Sequence, residues 1–314
     1  MEHKKNSTKM KIIIFGYQNW GVKAIKTILS MNHEIIQVIT HPTDMDKNEK
    51  IWFESVKEEC IKNQIKCLEK TNSDNEVIEL VKKENPDLIF SAGWRRLIPK
   101  EIFSIPKKGT INIHEALLPN YRGFAPINWA IINGEKEIGI TSHFIDEQAD
   151  TGGIILQNKI NVEINDKASD VYQKILELAP KLIEETITLV DKNNVKPIIQ
   201  NRKDGFFCSR RFPEDDKIDW KKNRKEIHNL IRSLSDPYPN AFCYFEGKKI
   251  LIKESTLSEE DFRGLPGKIN RISDKGITVT CGENHKENQA LLITNWEVEN
   301  AEKSSIIKLW NQLE

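Results

Sequence analysis

The stretch INIHEALLPNYRG, residues 111–123, carries Asn112 and His114 two positions apart. If Ile111 and Ile113 make this a strand, its period of two sends both polar side chains to one face. If that strand lies inside a covered sheet, two polar groups at its carboxyl end sit where open α/β sheets bind ligands and can surround one reacting atom. A carboxylate to orient the imidazole is available downstream in FIDEQADTGG (144–153), which offers Asp146, Glu147 and Asp150. No Ser or Cys stands as an obvious nucleophile, which suits a reaction whose substrate supplies one. Plainer readings exist for each group: a single His is often structural, and Asp-Thr-Gly-Gly is often only a turn. Arg122 is a candidate for an anion, with Arg210 and Arg211 as alternatives. Each of the three reads equally well as a salt-bridge partner. Trp94, beside Arg95 and Arg96, can stack on a ligand ring or fill a core.

The elements that must position these groups follow from hydrophobic period. KIIIFG (11–16), EIIQVITH (34–41), DLIFSAGW (87–94), TINIH (110–114) and EIGITSHFI (137–145) read as strands. Between and after them, 21–31, 51–64, 74–86, 125–135 and 169–191 have helical spacing, the third stopped by Pro86 and the last carrying Pro180. Strands alternating with helices predict a parallel sheet covered on both faces, with ligands at the strands' carboxyl ends. Asn112 and His114 fall at such an end. The first strand-to-helix turn, GYQNWGVK, has neither a GxGxxG pattern nor a Lys-Ser after its second Gly. It reads as a tight turn, or as a loop whose amides line the crevice. After about residue 195 a helix at 226–234 leads into short β-like runs separated by turn signals. The expected fold is α/β: a Rossmann-like doubly wound parallel sheet in a catalytic domain, 1–200, and a C-terminal OB-like β-barrel domain, 201–314.

Bulk properties narrow the function. At 314 residues the chain is long enough for about two domains without disulfides or structural metal. Lys plus Arg and Asp plus Glu both total 47, and the C-terminal third is close to balanced, which argues against a large nucleic-acid footprint. Five Cys without CxxC or Cys/His clustering predict free thiols in a reducing compartment and no metal site. The charged start MEHKKNSTKMK is followed only by IIIF, too short for a signal peptide, and nothing approaches a membrane span. A cytoplasmic protein is expected.

The segment NIHEALLPNYRGFAPINWAIINGEKEIGITSHFIDEQADTGGIILQ resembles the 10-formyltetrahydrofolate-dependent formyltransferases, whose signature runs Asn-x-His-x-Ser-Leu-Leu-Pro-x-x-Arg-Gly and later Asp-x-Gly. DKIDWKKNRKEIHNLIRSLSDPYPNAF is similar to the linker and barrel start of two branches, one acting on methionyl-tRNA and one on nucleotide-linked amino sugars. FGYQNWG, THPTDMDKNEKIWFESV and RRFPEDD look most like the sugar branch, in particular the formyltransferase part of the enzyme that modifies UDP-4-amino-4-deoxy-arabinose. At this length the chain is expected to lack that enzyme's second half.

The resemblance implies catalysis by Asn112, His114 and Asp150. It implies contacts to the donor, 10-formyltetrahydrofolate, from Arg96, Leu97 and Ile98 and from Asp146, Glu147, Gln148 and Ala149. The implied acceptor is a nucleotide-linked 4-amino sugar, with Arg122, Phe124, Arg210 and Arg211 as candidate contacts. No metal is required, and a homodimer is left open. Two positions depart from the family pattern: Ala116 replaces the usual Ser, and Phe124 stands where the arabinose branch has a basic residue.

Overall fold

The computed structural model describes residues 9–45, 52–201, 203–260, 262–283, 289–299, 308 and 311–314. Residues 1–8 and 46–51, which include Ile51 of the helix expected at 51–64 and part of THPTDMDKNEKIWFESV, lie outside the described residues. Along the chain come β1 (Lys11–Gly16), α1 (Gln18–Ser30), β2 (Glu34–Thr40), α2 (Val56–Lys62), β3 (Cys67–Glu69), α3 (Asn75–Glu84), β4 (Leu88–Ala92) and α4 (Lys100–Phe103). These are followed by β5 (Thr110–His114), β6 (Arg122–Gly123), α5 (Pro126–Ile132), β7 (Glu137–Phe144), β8 (Ile154–Asn161), α6 (Ala168–Asp191) and β9 (Phe207–Cys208). The remainder is α7 (Arg224–Ser233), β10 (Ala241–Phe245), β11 (Lys248–Leu257), β12 (Ile269–Ser273), β13 (Gly276–Cys281) and β14 (Gln289–Val298). Two compact units result: 1–123 with 138–160 and 173–208, and 124–137 with 161–172 and 209–314.

The first unit is built on a sheet in the order β3-β2-β1-β4-β5-β7-β8. β1 pairs in parallel with both β2 and β4, so the strand order reverses there, and the carboxyl ends of these strands form the crevice of an open α/β sheet. Residues Ile12 to Phe15 of β1 have no exposed surface, as a strand covered on both faces requires. One side packs Ile13, Phe15, Ile39, Val77, Val81, Ile89 and Ile102 into a single cluster. Helix ends follow local chemistry. Ser55 and Asp74 accept the amides of Glu58 and Val77 at the starts of α2 and α3, and Asn85 takes a left-handed conformation after α3. The GYQNWG turn is a close-packing device: a Cβ on Gly16 would lie 2.9 Å from Gly21 Cα, and one on Gly21 would lie 2.7 Å from Val56 Cγ2.

Two features differ from the sequence expectation. β7 is a strand as expected, but it runs antiparallel to β5. β3, α4 and β8 are additional elements; β8 alternates half-buried and exposed residues beyond Ile155, as an edge strand does.

The second unit carries a five-stranded antiparallel sheet, β10-β11-β14-β13-β12. The chain's last residues join its two edge strands. Tyr244 of β10 and Glu314 exchange both backbone hydrogen bonds at 2.8 Å, Ile269 N donates to Asn311 O at 2.9 Å, and Leu313 N donates to Gly267 O at 2.9 Å. The ring of strands so completed encloses Ile218, Trp220, Ile250, Ile277, Leu291, Ile293 and Leu313, with Ile227 and Ile231 of α7 covering one side.

Candidate active site

β5 ends at the carboxyl edge of the sheet, and its neighbour β7 sets what faces it. Asn112 is opposite His143 and His114 is opposite Thr141 in the antiparallel register, so all four side chains share one face. Asp150 enters from the loop between β7 and β8, in a left-handed conformation (φ 56°) that side chains other than glycine seldom adopt. Its carboxylate is the hub. Oδ2 accepts the Gly123 amide at 2.9 Å and lies 3.6 Å from His114 Nδ1. Oδ1 lies 3.4 Å from His143 Nε2 and accepts from Asn112 Nδ2 at 3.4 Å. The next residue but one, Gly152, fixes the loop's approach, because a Cβ there would collide with Phe144 O.

Partners settle one proton on each imidazole. His114 Nε2 is 2.7 Å from the carbonyl oxygen of Tyr121, an atom that can only accept, so Nε2 carries hydrogen. The nitrogen free to gain or lose a proton is therefore Nδ1, which faces Asp150. His143 is arranged in the opposite sense: Nδ1 donates to Phe144 O at 2.8 Å, and Nε2 faces Asn112 Nδ2 at 3.3 Å.

Burial pushes the Asp150 carboxyl up. His114, the hydrogen bond and charge of His143, and the Gly123 amide outweigh it, and hold the group well below the usual carboxylate range. The neighbouring Glu115 goes the other way: burial dominates and raises it, against His114 and Arg95. Two nearby carboxyls are thus split, one kept ionised and one pushed toward the neutral form.

Thus Asn112, His114 and Asp150 are brought together. Of the residues expected at the donor, Arg96 and Leu97 are exposed after β4, whereas Ile98 is buried in the core cluster. Asp146 accepts from Thr151 Oγ1 and from Gln148 N, folding the 146–151 loop on itself. An ion pair, Lys100 to Glu147 at 2.8 Å, places that loop beside the segment after Ile98. Gln148 is exposed and Ala149 half-buried. The two segments expected to flank the donor are therefore neighbours.

Arg122 requires a correction. It has no exposed surface, and its Nε and Nη2 donate to Gln200 Oε1 at 3.0 and 2.8 Å. A buried guanidinium so engaged is not presented to a diphosphate. Arg211 is held by Asp216 at 2.7 Å and lies over the Trp129 ring, while Arg210 and Phe124 are exposed. Trp94 stacks on His41 with ring centroids 3.8 Å apart. His143 and Glu115 were not singled out by the sequence reading. The signal available for His143 was its place two residues after Thr141, which matches the spacing of Asn112 and His114.

A parallel-dominant α/β sheet with an amide–imidazole–carboxylate cluster at its carboxyl edge, in a chain that also carries an antiparallel β domain, defines a formyltransferase-type enzyme. Residues 8–187 match the family model described as formyl transferase, and 211–314 match the formyl transferase C-terminal domain. The chain belongs to the formyl transferase family, and its class of reaction is formyl transfer.

It is 35% identical over 273 residues to the bifunctional polymyxin resistance protein ArnA of Wigglesworthia glossinidia brevipalpis, a match spanning 87% of this chain and 41% of that protein. It is 34% identical over 277 residues to the methionyl-tRNA formyltransferase of Alkaliphilus oremlandii, spanning 88% and 89% of the two. In fold it resembles the N-formyltransferase of Helicobacter canadensis, solved with folinic acid and dTDP-3-aminofucose, at TM-score 0.69 and 24% identity over 92% of this chain and 100% of that one. The described residues hold no helix long and apolar enough to cross a membrane, and no group of His, Cys, Asp or Glu arranged to hold a metal ion.

Proposed function

We propose that this chain is an N-formyltransferase that moves the formyl group of 10-formyltetrahydrofolate to the amine of a nucleotide-linked 4-amino sugar. The transfer step is assigned to the 1–200 domain, with 201–314 as its barrel companion. The observation that carries the chemistry is the convergence of Asn112, His114 and Asp150 on one face at a sheet's carboxyl edge. The neutral amine of the acceptor attacks the formyl carbon. Asn112 turns an amide hydrogen, loosely held at 3.3 to 3.4 Å, toward the oxyanion; such a donor is worth about 3–4 kcal/mol in the barrier. His114, tied through Nε2 to Tyr121, receives the amine's proton at Nδ1 and passes it to the departing folate nitrogen. Asp150, kept ionised, offsets the charge of the imidazolium in between. Arg96, Leu97 and the 146–149 loop would hold the donor, and Arg210 and Phe124 are candidate contacts to the acceptor.

The sugar acceptor is supported by the likeness to an N-formyltransferase solved with dTDP-3-aminofucose and by the even balance of 47 basic and 47 acidic residues. A second reading, methionyl-tRNA formyltransferase, is favoured by a match that spans 89% of such an enzyme. One experiment separates them. The protein is incubated with 10-formyltetrahydrofolate and either a panel of UDP- and dTDP-linked amino sugars or charged initiator tRNA, and products are read by mass. Formylated sugar nucleotide is expected; formylated methionyl-tRNA alone would replace the first reading by the second.

A further inference from the structure

Asp150 is held from two sides, and only one of them is its carboxylate. Behind its backbone lies Gln200, which is buried, donating from Nε2 to Asp150 O at 2.9 Å and to Gly152 O at 2.7 Å. The amide can do this only in one orientation, with nitrogen toward the loop and oxygen away from it. Arg122 enforces that orientation, because a guanidinium has no acceptor and its Nε and Nη2 both donate to Gln200 Oε1. Arg122 is itself fixed: its own amide donates to Phe206 O at 3.1 Å, β6 pairs with β9, and its guanidinium lies 5.4 Å from the centre of the Phe207 ring. The adjacent residue, Gly123, supplies the amide that Asp150 Oδ2 accepts. One two-residue strand therefore grips both ends of Asp150: the carboxylate directly, and the carbonyl through Gln200.

We infer that Gln200, oriented by Arg122, is a positioning residue for formyl transfer: it pins the left-handed Asp150 so that its carboxylate meets His114 and His143 together. The inference rests on the site assignment proposed above. Its logic is that an aspartate in a disfavoured backbone conformation needs surroundings that over-determine it, and that misplacing a reacting group by about 1 Å can cost about 100-fold in rate.

Gln200→Glu separates positioning from mere stability. The carboxylate still accepts from Arg122, so the buried charge keeps its partner, but it cannot donate to either carbonyl. The expected result is a folded protein with a lower melting temperature, because two buried carbonyls lose their donor, unchanged KM for both substrates, and kcat lower by about 10- to 100-fold when assayed well below that melting temperature. Parent-like kcat in this variant overturns the inference. Should Gln200→Glu not fold, Arg122→Met, which frees the amide to rotate, is read in the same way. In the parent enzyme labelled with 15N-glutamine, the Gln200 side-chain hydrogens should exchange slowly with solvent; exchange at the rate of free glutamine also overturns it. Asp150→Ala is the control. If that variant keeps parent kcat, the site assignment has failed; if it is inactive while Gln200→Glu is not, only the positioning role has failed.

Discussion

At the scale of single residues, the cluster predicts a graded set of losses. On the proposed assignment, replacing His114 or Asp150 by alanine removes the proton carrier or its counter-charge, and kcat should drop by about 10²- to 10⁴-fold with circular dichroism unchanged. On the same assignment Asn112→Ala removes one oxyanion donor and should raise the barrier by about 3–4 kcal/mol. Near-parent turnover in any of the three, measured on formylated product, would remove that residue from the assignment. The sequence made Asn112 and His114 legible because a strand's period of two is local information. Asp150 was one of three loop acids until the family resemblance selected it. His143 was hidden because its place opposite Asn112 depends on a tertiary register. Arg122 was misread for the same reason: an arginine after a strand looks like an anion ligand until its burial is known.

At the scale of elements, the carboxyl ends of three strands are tied together by one imidazole. His41, which follows β2, faces Lys70 O after β3 through Nδ1 at 2.8 Å and accepts from Arg95 N after β4 through Nε2 at 3.2 Å. Burial, with Arg95 and Arg96 adding to it, lowers its pKa from 6.5 to about 4, against the hydrogen bond to Lys70. The folded protein thus keeps His41 neutral where the unfolded chain would protonate it. Stability from this group is complete above pH 6.5 and is lost as pH falls toward 4, by on the order of 3 kcal/mol. Melting temperature should fall through that window, and His41→Gln should flatten the slope; equal slopes would contradict the assignment. The glycine pair of the first turn gives a second test. Gly21→Ala sets a Cβ 2.8 Å from Gly16 C and 2.7 Å from Val56 Cγ2, and should cost about 1–3 kcal/mol in urea unfolding. Strands β1 and β4 were legible as nearly continuous apolar runs, and β2 and β5 as β-branched runs interrupted by a polar residue. Direction was not: nothing in the composition of β7 says that it runs antiparallel. β3, only three residues long, and half-exposed β8 carry too weak a pattern to stand out.

At the scale of the whole molecule, the ring of strands in the second unit depends on its final residues. Leu313 is 2% exposed and sits in the barrel core. Leu313→Ala should lower stability by about 2–5 kcal/mol, and should speed hydrogen exchange at the Tyr244 and Ile269 amides more than at those of β13. Protection lost evenly across all five strands would mean that the tail is not a separate closure. The β-rich character of this region was visible in its turn signals, whereas the closing segment was not, because four residues carry no period.

That arrangement has a temporal side. Strands β10 and β11 can pair as they leave the ribosome, but β11 must wait for β14 on its other side, and the seam between β10 and β12 stays open until residues 311–314 have emerged. During translation this part of the protein therefore presents unpaired strand edge that a chaperone could shield.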